Sequence, residues 1–587
     1  MQLSTVKISN ILSFPYVENL TSVEGIKFHN HENGITNILI GPNGSGKSNL
    51  LDIISSVWKY GITIDYEFDK HNQTITKLPS PSHHLKQFRG QENLSSHIYI
   101  SIYLNTDDIS NLLFVAHNSK EINTIIHEHK LDTIFPQIDS ELITTLHKVP
   151  FYITLEENNN LILEEHTDPI IKFVHLYFQN FELIQHCISI YNTTNKLSRQ
   201  QLRNTFAFIT NDYNYADPSN NKPLRLLLQK YHNLTSFEEQ SKSLIQHFFL
   251  EAINTTLVRY TTLTLIIQQD QILFQSPSWY NYEFHELSSG EQSFIRLIFL
   301  IYSHDLHNGL LIIDEPELHL HPQAQKEFLK LIEEMIWKQY IQTIIATHSP
   351  SLVTAYNIHN VFRCTKIQGE TKIYSNPQQG KQSNSTLLQL LKFDAIAKVF
   401  FVDTIILVEG DTDLYFFSHY VEYLSTLPEW QNRIKNYEII AISGKWSVGK
   451  WKHFLKKYKT SVFYIGDWDN ITEFGILSHQ EIHALQQERS NNNKGSKYWS
   501  TVDFVHTKKP KLAQHIDNGI NNLYQHNTFI LHHGDLESYL WLQDKGLDDT
   551  VYFCTHQFSQ WLQNPHYQEK REELLSIIEH IFTEKNK

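Results

Sequence analysis

The sequence predicts an α/β protein made of two successive α/β parts, and three observations carry that reading. Continuous apolar runs at 309–313, 342–346, 404–408 and 461–465 read as parallel strands buried on both faces. A glycine-rich turn at 41–46 joins a short strand to a helix. Three of the apolar runs end in acidic residues, at Asp314-Glu315, at Glu409 and at Asp467-Trp468-Asp469. The carboxyl ends of strands are where α/β sheets place their sites.

Taken in order, residues 6–12 and 35–40 read as strands rich in Ile and Leu. Residues 49–60 read as a helix, with Leu50, Ile53, Ile54 and Val57 at helical spacing. Residues 98–104 alternate as a strand does. From 107 to 250 the pattern is helical, with Asn-rich breaks near 156–160, 192–195 and 213–221. Strand-like alternation returns at 261–267 and 271–274. The polar, Gln/Ser/Asn-rich stretch 366–390 reads as a linker between the two parts.

Length and composition bound the class. A chain of 587 residues corresponds to about four domain-sized units at roughly 150 residues each. With 12% aromatic and 19% charged residues it is too rich in aromatics and too poor in charge to be disordered. Its net charge of −14 argues against nonspecific nucleic-acid binding by the chain as a whole. Three scattered cysteines, Cys187, Cys364 and Cys554, exclude a disulfide scaffold and a Cys-type zinc module, and fit a reducing cytoplasm. No apolar run reaches the roughly 18–20 residues of a membrane span, and the N-terminus lacks the layout of a signal peptide. These features predict a soluble, cytoplasmic, multidomain protein.

The first constellation is an ATP site in pieces. Gly41-Pro-Asn43-Gly44-Ser-Gly46-Lys47-Ser48 satisfies GxxxxGK[ST], with a strand before it and a helix after. Glycines let backbone N–H groups wrap phosphates, and the helix N-terminus adds positive potential. Lys47 would reach the β- and γ-phosphates, and the Ser48 hydroxyl would face Mg²⁺. Asp314, ending the apolar run 309–313, would sit beside that Mg²⁺, and Glu315 beside the attacking water. Leu287-Ser-Ser289-Gly290-Glu-Gln and His348, after the run 342–346, complete the set. His319 and His321 suggest a metal pair, but without a third ligand they read as part of the turn after Asp314-Glu315.

The order of these pieces resembles the ABC-type ATPase heads of the RecF, SMC and Rad50 group. The resemblance covers about 1–395 and implies that Ser289 and Gly290 of one subunit contact the γ-phosphate held by another, with His348 sensing it. Some 240 residues separate Ser48 from Leu287, more than twice what a compact head needs. A helical insertion is therefore expected at 107–250, between ATPase parts at 1–106 and 251–395. It lacks long heptads and reads as a dimerisation or partner-binding module.

The second constellation is a set of carboxylates. Glu409-Gly410-Asp411-Thr-Asp413 follows a buried strand through a tight turn, and Gly466-Asp467-Trp-Asp469 repeats the design. On an extended backbone Asp467 and Asp469 would point to one side. Gly534-Asp535-Leu-Glu537 adds a third acidic pair. Several carboxylates without His or Cys suit Mg²⁺ or Mn²⁺, and two such ions can clamp the oxygens of a phosphodiester.

This layout resembles a Toprim domain, and the string KVFFVDTIILVEGDTD is similar to the OLD (overcoming lysogenisation defect) family, which joins an ABC-type ATPase to a C-terminal Toprim nuclease. The resemblance implies a Rossmann-like Toprim domain at 396–587, with a basic insertion near 475–530. It implies metal-binding roles for Glu409, Asp413, Asp467, Asp469 and Glu537, with Asp535 adjacent. Gly444-Lys445 matches a family Gly-Lys pair, and a family lysine near the scissile phosphate falls to Lys508, Lys509, Lys511 or Lys545. Between 445 and 511 stand 12 basic and six acidic residues, a local +6 in an acidic chain. Lys445, Lys450, Lys508, Lys509 and Lys511 are the expected phosphate-backbone contacts.

The resemblance thus implies an ATP-regulated, metal-dependent DNA endonuclease acting in anti-phage defence. It also implies a homodimer or higher homo-oligomer, partnered by a reverse transcriptase with its branched RNA–DNA (as in retrons) or by a helicase. The alternative is a non-catalytic RecF/SMC-like ATP-dependent DNA-binding or repair scaffold.

Overall fold

The computed structural model describes the chain apart from residues 23, 32–33, 65, 70–73, 79–84, 88–93, 157–159, 188–226, 228–238, 269–270, 305–308, 318–319, 355–356, 376–397, 443–447, 493–500, 541, 543–545 and 584–587. It divides into two units, Met1–Ile373 and Tyr374–Lys587.

In chain order the first unit contains β1 (Gln2–Ser9), β2 (Ile26–Lys27), β3 (Ile35–Ile40), α1 (Lys47–Ser56), β4 (Tyr66–Asp69), β5 (Thr74–Lys77), β6 (Ser96–Tyr103), α2 (Thr106–His117), α3 (Ser119–Glu128), α4 (Ser140–Thr144), β7 (Lys148–Leu155), β8 (Leu161–Leu163) and α5 (Pro169–Gln179). There follow α6 (Glu239–Thr261), β9 (Thr264–Gln268), β10 (Gln271–Gln275), β11 (Asn281–Tyr282), α7 (Ser289–His304), β12 (Leu310–Asp314), α8 (Pro322–Gln339), β13 (Gln342–Thr347), β14 (Val361–Ile367) and β15 (Glu370–Ser375).

The apolar runs pair with each other. A five-stranded sheet has the order β12-β13-β3-β14-β15, and β12, β13, β3 and β14 run parallel. β12 and β13 are almost wholly buried, as strands covered on both faces must be. A second sheet, β2-β1-β6-β7-β8, is antiparallel throughout.

Several sequence expectations need correction here. The first strand runs from Gln2 to Ser9 rather than over 6–12, because Asn10 and Leu12 take positive φ (61° and 52°) and end it. The helix expected at 49–60 stops at Ser56 and continues as a π-helical turn, Val57–Ile62. The stretch 107–250 is not wholly helical. Helices α2 to α5 form, but β7 buries alternate residues and pairs along its whole length with β6, so this segment widens the second sheet. The proposed linker 366–390 begins as structure: β14 and β15 meet at Gln368 and Gly369, both at positive φ (51° and 89°). Residues 376–390 of it lie outside the described residues.

The second unit contains β16 (Thr404–Val408), α9 (Asp411–Thr426), β17 (Tyr437–Ala441), α10 (Val448–Lys456), β18 (Ser461–Gly466), α11 (His479–Asn492), α12 (Thr501–Lys508), α13 (Pro510–Tyr524), β19 (Thr528–Ile530), α14 (Leu536–Leu540), α15 (Leu547–Tyr552), α16 (Phe558–Gln563) and α17 (Gln568–Thr583). Its sheet, β17-β16-β18-β19, is parallel throughout. The core packs Ile406, Val408, Phe463, Ile465 and Phe529 of the strands with Phe416 and Tyr420 of α9, Trp561 of α16, and Leu574, Ile577, Ile578 and Ile581 of α17. Strand order reverses at β16, with β17 on one side and β18 on the other. The crevice at their carboxyl ends is a topological switch point.

Candidate nucleotide site and candidate metal centre

Because β12, β13 and β3 run parallel, the three motifs that follow them meet at one sheet edge. Gly41, Gly44 and Gly46 have φ of 152°, 74° and 96°. A Cβ at Gly41 would lie 2.0 Å from the Cys364 carbonyl, and one at Gly46 2.0 Å from Thr371 Oγ1, so only glycine keeps the loop wound close to β14 and β15. Asn43 and Gly44 form the exposed tip. Lys47 is buried, and its Nζ donates to the carbonyls of Gly41 (3.0 Å) and Pro42 (3.3 Å). Burial holds its pKa below the usual lysine value. The same Nζ lies 3.5 Å from His348 Nδ1, and His348 Nε2 lies 3.4 Å from Glu315 Oε1. Burial, then the Lys47 charge, lowers the pKa of His348 below the usual histidine value.

Ser48 hydrogen-bonds Asp314, and burial pushes the Asp314 carboxyl up to about 6 against that bond. A hydroxyl and a carboxylate side by side are hard oxygen donors of the kind Mg²⁺ takes. Glu315 has φ of 49° while its N–H donates to the Ala346 carbonyl at 2.8 Å, a conformation that costs a non-glycine residue energy and is typical of functional sites. Glu317, not singled out from the sequence, accepts from the His348 N–H at 2.6 Å. In the signature segment Ser288 and Ser289 are exposed at the start of α7, and Glu291 caps that end by accepting from the Ser288 N–H (3.0 Å) and hydroxyl (2.6 Å). Of the histidine pair, the His321 ring caps α8, and His319 lies outside the described residues.

In the second unit β16 and β18 are neighbours, which brings Glu409 to Asp467 and Asp469. Oxygens of these three carboxylates lie within 4.8 Å of one another, and they form the one such group among the described residues. Glu409 and Asp467 are half-buried and Asp469 is exposed. An all-carboxylate donor set suits a hard divalent ion.

The expected extended Asp467-x-Asp469 arrangement is not what joins them. Asp467 immediately precedes a 3₁₀ turn, Trp468–Thr472, and Asp469 sits inside that turn. Asp413 is outside the group: its Oδ2 accepts from the Gly410 N–H at 3.0 Å. It lies close enough to act with Glu409, Asp467 and Asp469 on Tyr464, whose pKa burial and these charges raise. Asp535 and Glu537 are also outside the group. Asp535 Oδ1 accepts from the Ser538 N–H at 3.1 Å, and the loop joins Asp467 through the Leu536 N–H (3.0 Å).

The sequence reading missed two residues here. Asn470 is fully buried and donates to Glu409 at 3.0 Å. Its position after the acidic pair was visible, but nothing marked it apart from an ordinary turn asparagine. Lys570 on α17 donates to the Ser538 carbonyl at 2.6 Å and interacts with Asp535. The lysines put forward from the sequence stand differently. Lys450, Lys508 and Lys511 are exposed, Lys509 pairs with Glu488 at 2.5 Å, and Lys445 and Lys545 lie outside the described residues.

Residues 36–86 and 144–354 match the family described as "AAA domain, putative AbiEii toxin, Type IV TA system". Residues 400–469 match the family described as "Overcoming lysogenization defect protein-like, TOPRIM domain", which holds all three clustered carboxylates. The chain carries an ATPase region followed by an OLD-like TOPRIM domain, in the order of the OLD family. It is 25% identical over 263 residues to the "Old nuclease" of Escherichia phage P2, covering 39% of this chain and 43% of that protein. It is 22% identical over 422 residues to the "Retron Vc95 probable ATPase" of Vibrio cholerae, covering 65% of this chain and 78% of that one. It is 44% identical over 55 residues to the "Septu protein PtuA" of Bacillus thuringiensis, covering 9% of this chain and 13% of that one. The chain thus spans under half the length of the phage relative it matches. Among solved structures, the SMC head domain from Thermotoga maritima aligns with a TM-score of 0.33 at 14% identity, over 64% of this chain and all of that one. The family's two domains imply nucleotide and divalent-metal use. No helix among the described residues is long and apolar enough to cross a membrane.

Proposed function

We propose that this protein is a metal-dependent DNA endonuclease whose Toprim site is controlled by its ATPase head. The observation that carries the reading is the convergence of Glu409, Asp467 and Asp469 at the switch point of a parallel sheet matched to OLD-like Toprim domains. Glu409, Asp467 and Asp469 would hold Mg²⁺ or Mn²⁺, with Asp413, Asp535 and Glu537 as their neighbours. A bound ion supplies Lewis-acid polarisation of a phosphodiester and its attacking water. Lys570, beside Asp535, takes the place near the scissile phosphate in preference to the exposed Lys508 and Lys511 and to Lys509, which pairs with Glu488. The exposed Lys450, Lys508 and Lys511 would meet the DNA backbone.

In the head, Gly41, Asn43, Gly44, Gly46 and Lys47 would cradle ATP, Ser48 and Asp314 would hold its Mg²⁺, and Glu315 would orient water. His348 links Lys47 to Glu315 and would report the γ-phosphate. The exposed Ser289 and the half-buried Gly290, at the start of α7, would close the site of a second subunit, which makes ATP binding a dimerising event. The names of the retron and Septu relatives favour a place in anti-phage defence, with a retron reverse transcriptase and its RNA–DNA as the first partner to test. A cytoplasmic location follows from that reading.

The test is cleavage of supercoiled and linear DNA with Mg²⁺ or Mn²⁺, with and without ATP, for wild type, Glu409→Ala, Lys570→Ala and Lys47→Ala. Cleavage should disappear with Glu409→Ala, and its ATP dependence with Lys47→Ala. Activity that survives Glu409→Ala would refute the Toprim assignment. Inactivity of the wild-type protein under every condition, with its retron partner supplied, would favour the scaffold reading.

A further inference from the structure

Asn470 occupies an unusual position. It is fully buried, yet its one amide nitrogen faces Glu409 Oε2 (3.0 Å), the Asp467 carbonyl (3.0 Å) and Asp469 Oδ1 (3.4 Å). Its Oδ1 accepts from the Tyr464 hydroxyl at 3.1 Å. The amide orientation is therefore fixed: turned over, its oxygen would face two carboxylates. Tyr464 is itself fully buried and donates from within the sheet, so the chain Tyr464–Asn470–Glu409 is anchored at its far end.

We infer that Asn470, held by Tyr464, is a positioning residue that sets how Glu409 meets a divalent ion and so which ion the centre prefers. The inference rests on the metal-centre reading above. A carboxylate that gives one oxygen to a rigid amide donor offers the other to an ion, which favours one-oxygen ligation. Mg²⁺ and Mn²⁺ sites of few protein oxygens and several waters accept that mode, whereas Ca²⁺ takes more ligands and readily takes both oxygens of one carboxylate. The amide is also neutral, so it bridges Glu409 and Asp469 without adding a fourth charge to the group.

The experiment measures Mn²⁺ binding to the full-length protein by electron paramagnetic resonance, with Ca²⁺ as competitor, in wild type, Asn470→Ala, Asn470→Ser, Tyr464→Phe and Glu409→Ala. Supporting partners of metal ligands typically contribute ten- to a hundredfold in affinity, so Asn470→Ala should weaken Mn²⁺ by about that factor. Ca²⁺ should weaken less, narrowing the preference, and Tyr464→Phe should shift both in the same direction by a smaller factor. If Asn470→Ala does not fold, the Ser and Phe variants carry the test. Mn²⁺ affinity and Mn²⁺/Ca²⁺ preference within about twofold of wild type in the folded Asn470 variants would overturn the inference while leaving the metal centre intact. Wild type that binds Mn²⁺ no better than Glu409→Ala would instead overturn the metal-centre reading, and this inference with it.

Discussion

Glu573 on α17 offers the most demanding test of how the loop bearing Asp535 and Glu537 is held. Its Oε1 accepts from both the His532 N–H and the His532 ring (2.9 Å each), and its Oε2 accepts from the Tyr539 hydroxyl at 2.5 Å. These partners flank the loop on both sides. Tyr539 is fully buried, and a donor abandoned there costs about 1–3 kcal/mol. His532 is about one quarter exposed (26%) and can recruit water, so its share is smaller. Glu573→Ala should therefore destabilise the loop by about 3 kcal/mol, Glu573→Gln by about 1–2, and Tyr539→Phe by about 1.

The pair also has a pH signature. Burial opposes charge on both groups, but the bonds from His532 and Tyr539 hold Glu573 below the usual carboxylate value, and the bond and charge of Glu573 hold His532 above the usual histidine value. The stability from His532 is fully present below its unfolded pKa and is lost as pH rises through the folded one. That from Glu573 is lost as pH falls through its depressed value. The deficit of Glu573→Ala should thus be larger near pH 6 than near pH 9. Hydrogen exchange of peptides spanning 528–542 and 568–583 reads this locally, which a melting curve of a two-unit chain does not. The expected change near pH 6 is about a hundredfold faster exchange. Less than about threefold, or a larger effect near pH 9, would refute the reasoning.

Gly46→Ala should abolish tight ATP binding, because its φ of 96° and the Thr371 hydroxyl 2.0 Å from a new Cβ both oppose it. A fluorescent nucleotide titration checks this, and Thr371→Gly in the same chain should restore part of the affinity. Lys452→Met should destabilise the Toprim unit, since the half-buried Lys452 Nζ donates to His526 O, Asn527 O and Thr528 Oγ1, and desolvation there lowers its pKa to about 8. The exposed Lys450→Ala and Lys511→Ala should leave stability unchanged but weaken DNA binding and flatten its salt dependence by about one unit of slope each. Ile577→Ala, in the core between α17 and the sheet, should cost about 2–5 kcal/mol in urea unfolding.

The sequence by itself determined the local features. The P-loop, the buried strands β12, β13, β16 and β18 and the acids that end three of them are contiguous patterns, and neighbouring residues suffice to specify them. Glycines at 41, 44 and 46 announce positive φ in the same way. Tertiary structure decided which of these features meet. Glu409 joins Asp467 and Asp469 because β16 pairs with β18, while Asp413 turns back onto Gly410. Asn470 and Lys570 gain their meaning only from elements far away in the chain, so no spacing rule could mark them. The same holds for β7, whose alternation was present in a segment that read as helical, and for the β14–β15 hairpin inside a polar stretch. A strand in such a segment is stabilised by its neighbour's backbone, and which neighbour it finds is a property of the folded chain.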